Sequence, residues 1–173
     1  MPEIKLVSGE ELYEIVFNDI IPGSRKFLWL ATSNLKNVFI DYHNRSQSFL
    51  ELINEKLREK VSVRILHASM PSKGFMNEIK KLGDDLEFGL ELFCCPRNHM
   101  KIVLADNLKM YIGSANITGA GVGMKSKNKR NFELGIYTED KEMVKQVSEY
   151  FDSVWMGKFC DKCKLRKICP NPI

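Results

Sequence analysis

One stretch of the chain gathers residue types suited to phosphate chemistry. His99-Met100-Lys101 is followed by Asp106 and then by Gly113-Ser114-Ala115-Asn116. An imidazole attacks phosphorus or moves a proton near neutral pH, an ammonium group neutralises phosphate oxygens, and a hydroxyl and an amide donate hydrogen bonds to them. On a strand, residues i and i+2 share a face, so His99 and Lys101 are expected to point the same way, with Asp106 in the turn that follows. Ser114 and Asn116 share a parity of their own. A hairpin through Asp106-Asn107 would join both sets beside Gly113, whose missing side chain is expected to admit a ligand's oxygens. The set reads as a phosphate pocket that requires no metal.

The elements that must position these residues follow from periodicity. Ser8-Gly9-Glu10-Glu11 reads as a capping box, and Leu12, Ile15, Val16 and Asp19 continue a helix that Pro22-Gly23 ends. Residues 26–31 are almost wholly apolar, as in a strand buried on both faces. Phe49, Leu50, Ile53 and Leu57 mark a helix over 46–59, and 61–66 alternates as a strand. Phe75, Ile79 and Leu82 mark a short helix, and 86–94 is strand-like. Residues 100–105 and 109–113 are the hairpin strands, 132–137 another strand, and 143–155 a strongly amphipathic helix. Such alternation indicates an α/β domain, a central sheet flanked by helices on both faces. Residues 1–155 form this single domain, and 156–173 form a short basic, cysteine-containing C-terminal tail.

The spacing His-x-Lys-x4-Asp-x6-Gly-Ser-x-Asn resembles the motif of the phospholipase D superfamily, and Asn131-Phe132-Glu133 resembles the Asn-x-Glu element that follows it there. The resemblance covers roughly residues 22–155. It implies a mixed sheet and a phosphodiesterase working in two steps: one histidine attacks phosphorus to give a phosphohistidine, and a second protonates the leaving oxygen. On that analogy His99 is nucleophile or acid, and Lys101, Ser114 and Asn116 bind phosphate. Asp106 supports, and Glu133 orients a catalytic histidine. The chain carries the motif once, because neither His43 nor His67 has a lysine two residues later. Both are read as ordinary surface or core histidines. A homodimer pairing two copies of His99 is therefore expected.

Charge and cysteines stand at the edges of this motif. Net charge is only +4, but residues 119–131 carry +4 through Lys125, Lys127, Lys129 and Arg130, and the tail carries another +4, leaving −4 on the remainder. Two basic segments on an otherwise acidic body suit a polyanion such as DNA or RNA. Cys160-x2-Cys163-x5-Cys169, with Cys94 or Cys95, is read as a metal site for structural zinc or an iron–sulphur cluster, and its spacing resembles that of iron–sulphur nucleases of the RecB type. A disulfide to the body is the alternative.

Composition narrows the classes further. With 44% hydrophobic and 28% charged residues the chain is neither disordered nor a disulfide scaffold. No apolar run approaches the roughly 18 residues of a membrane span, and residues 1–12 lack the pattern of a secretory signal, so a cytoplasmic location is expected. The resulting expectation is a metal-independent endonuclease of low sequence specificity. The alternatives are a lipid hydrolase acting on a cardiolipin-like substrate and a non-catalytic nucleic-acid-binding module.

Overall fold

The computed structural model describes residues 4–42, 45–118, 121 and 128–173. The apolar run at 26–31 forms β2 (Phe27–Thr32) at the inner part of a seven-stranded mixed sheet. Before it come β1 (Ile4–Ser8), α1 (Gly9–Tyr13), a π-helical stretch Glu14–Ile20 and the closing turn α2 (Ile21–Gly23). After it come a small ribbon, β3 (Phe39–Tyr42) and β4 (Arg45–Ser48), then α3 (Phe49–Arg58), β5 (Ser62–His67), α4 (Lys73–Leu82), α5 (Asp84–Gly89) and β6 (Leu90–Cys94). The second half contributes β7 (Ile102–Ala105), β8 (Lys109–Gly113), β9 (Leu134–Thr138) and α6 (Lys141–Trp155). Strand order is β1-β9-β8-β7-β2-β5-β6. β2, β5 and β6 run parallel, and β7, β8, β9 and β1 pair antiparallel beside them.

Pairing register sorts the side chains into two layers. Leu28, Leu30, Val63, Ile65, Val103 and Tyr111 lie on one face and pack against Leu12, Val16, Phe17, Ile20, Phe49 and Ile53. Ala31, Leu66, Ile102, Leu104 and Met110 lie on the other, under Val144, Phe151 and Trp155 of α6. That helix starts from a working cap, with the Met143 N–H donating to Asp140 Oδ1 at 2.8 Å. At the β1–β9 edge Ile4, Leu6 and Leu134 remain 56, 65 and 54% exposed, left largely uncovered by α6. Among the described residues no helix is long and apolar enough to cross a membrane.

The predicted hairpin forms, and its turn depends on residue type. Asp106 and Asn107 have φ of +57° and +55°, a pair of left-handed conformations that asparagine and aspartate tolerate better than other side-chain-bearing residues. Several boundaries differ from expectation. Ser8 makes no side-chain cap, because it ends β1 and Gly9 turns the chain with φ +58°. The capping box lies instead at Ser48 and Glu51, and α3 starts there rather than at 46 because Arg45–Ser48 is spent in β4. Residues 86–89 are helical, since Gly83 breaks α4 and Asp84 and Asp85 supply an acidic first turn. Beyond α6, Gly157 (φ +73°) ends the helix and the tail folds as successive turns with one 3₁₀ turn, Arg166–Ile168.

Candidate active site

Topology brings the carboxyl ends of β2, β5, β6 and β8 and the entries to β7 and β9 to one edge of the sheet. Open α/β sheets bind ligands at such an edge. The segment 95–101 crosses it before β7 begins. Asn98 pins this segment down: its Nδ2 donates to the carbonyls of Thr32 (3.0 Å) and Leu66 (3.1 Å), and its Oδ1 accepts the Met100 N–H at 3.2 Å. His99, next in sequence, is exposed. It is not on a strand, so shared strand parity does not apply to it. Lys101 instead turns inward, 6% exposed, and its Nζ donates to the His99 carbonyl oxygen at 2.7 Å and to Ser33 Oγ at 3.1 Å. Burial lowers the Lys101 pKa from its usual value, and the nearby Glu133 carboxylate works against that shift.

The other side of the edge is built by β8 and β9. Ser114 Oγ donates to Glu133 Oε2 and accepts the Leu134 N–H at 3.1 Å, while Asn131 Nδ2 donates to Glu133 Oε1 at 3.1 Å. Both Glu133 oxygens are thus engaged by Ser114 and Asn131, and the expected bond to a histidine is not among these contacts. Asn116 Oδ1 accepts from the Ser33 N–H at 2.8 Å and from Thr32 Oγ1 at 3.2 Å. With its oxygen committed, the amide NH2 is the end of Asn116 suited to an anion. His99, Lys101, Ser114, Asn116 and Glu133 therefore share one edge, His99 exposed and the Lys101 cation buried.

Two sequence expectations about this motif need correction. Asp106 lies beyond the far end of β7, roughly 16 Å from Lys101 at the usual strand rise. Its carboxylate accepts the N–H groups of Arg25 (2.7 Å), Lys26 (2.8 Å) and Phe27 (2.8 Å), tying the hairpin turn to the start of β2. It is a structural clasp outside the site. Gly113 leaves no gap for ligand oxygens, because a Cβ there would meet the Leu134 carbonyl at 2.6 Å, the Gly135 Cα at 2.7 Å and the Tyr111 hydroxyl. The missing side chain lets Tyr111 pack over the paired glycines Gly113 and Gly135.

The remaining candidates separate in the same way. Arg130 is ion-paired with Glu10 at 3.0 Å, so it braces the loop against α1 rather than presenting an uncommitted charge. Lys129 is exposed, while Lys125 and Lys127 lie outside the described residues, as does His43. His67 takes a core position at 3% exposure, its Nδ1 at 2.8 Å from the Ser69 carbonyl oxygen; burial lowers its pKa, partly offset by that carbonyl. Cys95, Cys160, Cys163 and Cys169 line one pocket that also contains His99. Among the described residues no three His, Cys, Asp or Glu side chains stand ready around a single metal position.

Thr32, Ser33 and Asn98 support the site without having been singled out. Their signal was present: polar residues directly after an apolar strand, and an amide directly before the motif histidine, mark a strand's carboxyl end and a pinned loop.

The family model described as "Cardiolipin synthase, PLD-like domain" matches residues 19–155. No curated protein matches the chain. Among solved structures, Nuc from Salmonella typhimurium, a phospholipase D family member, is similar with a TM-score of 0.66 at 13% identity, over 90% of this chain and 95% of its own. NucT from Helicobacter pylori is similar with a TM-score of 0.62 at 14% identity, over 88% of this chain and 95% of its own. TrmBL2, an archaeal chromatin protein with a novel mode of DNA binding, gives 0.56 at 16% identity, over 88% of this chain and 52% of its own.

Proposed function

Because the chain belongs to the phospholipase D superfamily of phosphodiesterases, we propose that it cleaves nucleic acid internally, with low sequence specificity and without a catalytic metal. The observation that supports this reading best is that exposed His99 and buried Lys101 stand together at the sheet edge, the Lys101 ammonium donating to the His99 carbonyl oxygen. An attacking nitrogen needs access to phosphorus. The charge on the phosphate oxygens needs a fixed, poorly solvated cation, which is worth most where water is excluded. His99 forms a bond to phosphorus as the bond to the leaving oxygen breaks, and a second histidine protonates that oxygen. Water then attacks the phosphohistidine, giving its proton to the same histidine and releasing His99. Lys101 and the amide of Asn116 hold the phosphate oxygens through both steps, and Ser114 joins them by turning its one O–H from Glu133 to the phosphate.

The second histidine comes from another copy of the chain. A single motif supports this, and so does the apolar strip of Ile4, Leu6 and Leu134 left bare by α6, which begins next to Glu133 at the site edge. Nucleic acid is favoured by the two basic segments and by a DNA-binding relative of the same fold. A phospholipid is the second reading, favoured by the family's description as cardiolipin synthase.

Incubation of purified protein with single-stranded DNA, duplex DNA, RNA and cardiolipin vesicles, all in the presence of a chelator, separates these readings. Chelator-resistant cleavage of nucleic acid, lost in His99→Ala, is the expected result. Turnover of lipid alone would replace nucleic acid by the second reading, and binding to nucleic acid without turnover would leave a non-catalytic module.

A further inference from the structure

The phosphate chemistry uses none of the five cysteines, yet three of them fall within ten residues of the tail. After Gly157 that tail is a chain of tight turns. The Cys163 N–H donates to the Cys160 carbonyl at 3.1 Å, Arg166 to Cys163 at 3.1 Å, and Cys169 to Arg166 at 3.3 Å. The first of these turns has a cysteine at each end. The tail then reaches the end of β6, where Asn171 Oδ1 accepts the Cys94 N–H at 2.9 Å. Between the tail, α6 and the segment leading to His99 is a pocket of about 200 Å³, and Cys95, Cys160, Cys163 and Cys169 all line it. Cys94 does not line it: its buried thiol lies 3.6 Å from the Ala68 carbonyl oxygen, while its own carbonyl oxygen lies 3.8 Å from Cys169 Sγ. All five cysteines are free of disulfides.

We propose that Cys95, Cys160, Cys163 and Cys169 bind a thiolate metal centre, a zinc ion or an iron–sulphur cluster, that clips the tail to the segment carrying His99. The chemistry of the lining supports a soft metal: four thiols, the Met100 thioether and no carboxylate. Four thiolates leave a zinc or cluster centre with net negative charge, and Arg97 and Arg166 line the same pocket to offset it. Phe93, Phe159 and Leu165 add apolar surface to its lining. Since the thiols do not already surround a single ion position, binding draws them inward across the pocket and tightens the tail, which couples metal affinity to local folding. The proposal does not depend on the substrate of the phosphate site.

Metal analysis of anaerobically purified full-length protein tests it. About one centre per chain is expected in the wild type and in Cys94→Ser, with loss of most of it in Cys160→Ser/Cys163→Ser and in Cys95→Ser. Colourless protein holding zinc identifies an ion, and iron with acid-labile sulphide and visible absorption identifies a cluster. Because the variants could misfold, cobalt(II) is also added to chelator-stripped wild type, where the intense sulphur-to-metal absorption of a tetrahedral thiolate site is expected. Wild type without zinc or iron and with no such cobalt spectrum would overturn the proposal. So would metal content unchanged in the double variant, or a disulfide joining Cys169 to Cys95 in protein handled without oxygen.

Discussion

Burying Lys101 strips water from an ammonium group and leaves it the Ser33 hydroxyl and the His99 carbonyl as acceptors. An isolated buried cation disfavours its own charged state, which is why its pKa falls, and the same loss of water strengthens its hold on a phosphate. Stability and function therefore pull apart at this residue. Lys101→Met is expected to lower kcat/KM about 10²–10³-fold while leaving the melting temperature unchanged or higher. His99→Ala, at an exposed position, is expected to lose about 10³-fold or more in rate with a normal melting temperature. His67 acts on stability in a different pH range. Its folded pKa lies below the unfolded value of 6.5, so as pH falls below that value the unfolded chain takes up a proton the folded chain refuses. Stability is complete above the unfolded pKa and declines toward the folded one, by at most about 1.4 kcal/mol per pH unit for one proton. Denaturant titrations between pH 7 and 5 are expected to give a flatter profile for His67→Gln than for wild type.

At the scale of elements, the clasp at Asp106 is the contact most exposed to a single change. Its carboxylate satisfies three backbone donors of the chain entering β2 and holds them to the β7–β8 turn. Asp106→Ala is expected to cost about 2–4 kcal/mol in denaturant unfolding, with turnover per folded molecule retained. Loss of turnover at normal stability would return this residue to the chemistry. Gly113→Ala forces a methyl group into Tyr111 and the β9 backbone and is expected to cost about 1–3 kcal/mol. These two residues also mark the limit of reading the motif from spacing. Spacing indicated that His99, Lys101, Ser114 and Asn116 belong together and the family resemblance added Glu133, but Asp106 sits one strand length away, because strand β7 fills the interval. The continuous apolar run of β2 and the periodic apolar face of α6 were legible because burial dictates their pattern. The β3–β4 ribbon and β1 were not. The ribbon is short and lies outside the main sheet, and β1 buries only Val7, so neither writes a full hydrophobic period into the sequence.

At the scale of the molecule, the bare end of the sheet and the single motif point to the same expected assembly. Leu6→Glu combined with Leu134→Glu is expected to yield monomers by sedimentation and to remove cleavage together with dimerisation, while His99 itself is untouched. A cleaving monomer would sink the two-histidine scheme. Binding to nucleic acid is expected to weaken steeply with salt, and charge-reversing Lys129→Glu with Lys164→Glu should flatten the slope of log affinity against log salt. The order of the strands has a further consequence during synthesis. Among the described residues β1 pairs only with β9, Ile4 opposite Thr138, so it must wait for a strand made much later in the sequence. Until the ribosome has passed β9, the exposed Ile4 and Leu6 sit on an unpaired edge, while β2, β5 and β6 can already assemble from contiguous chain. The growing polypeptide is exposed to wrong pairing at β1, and slowing translation after β8 should lengthen that window.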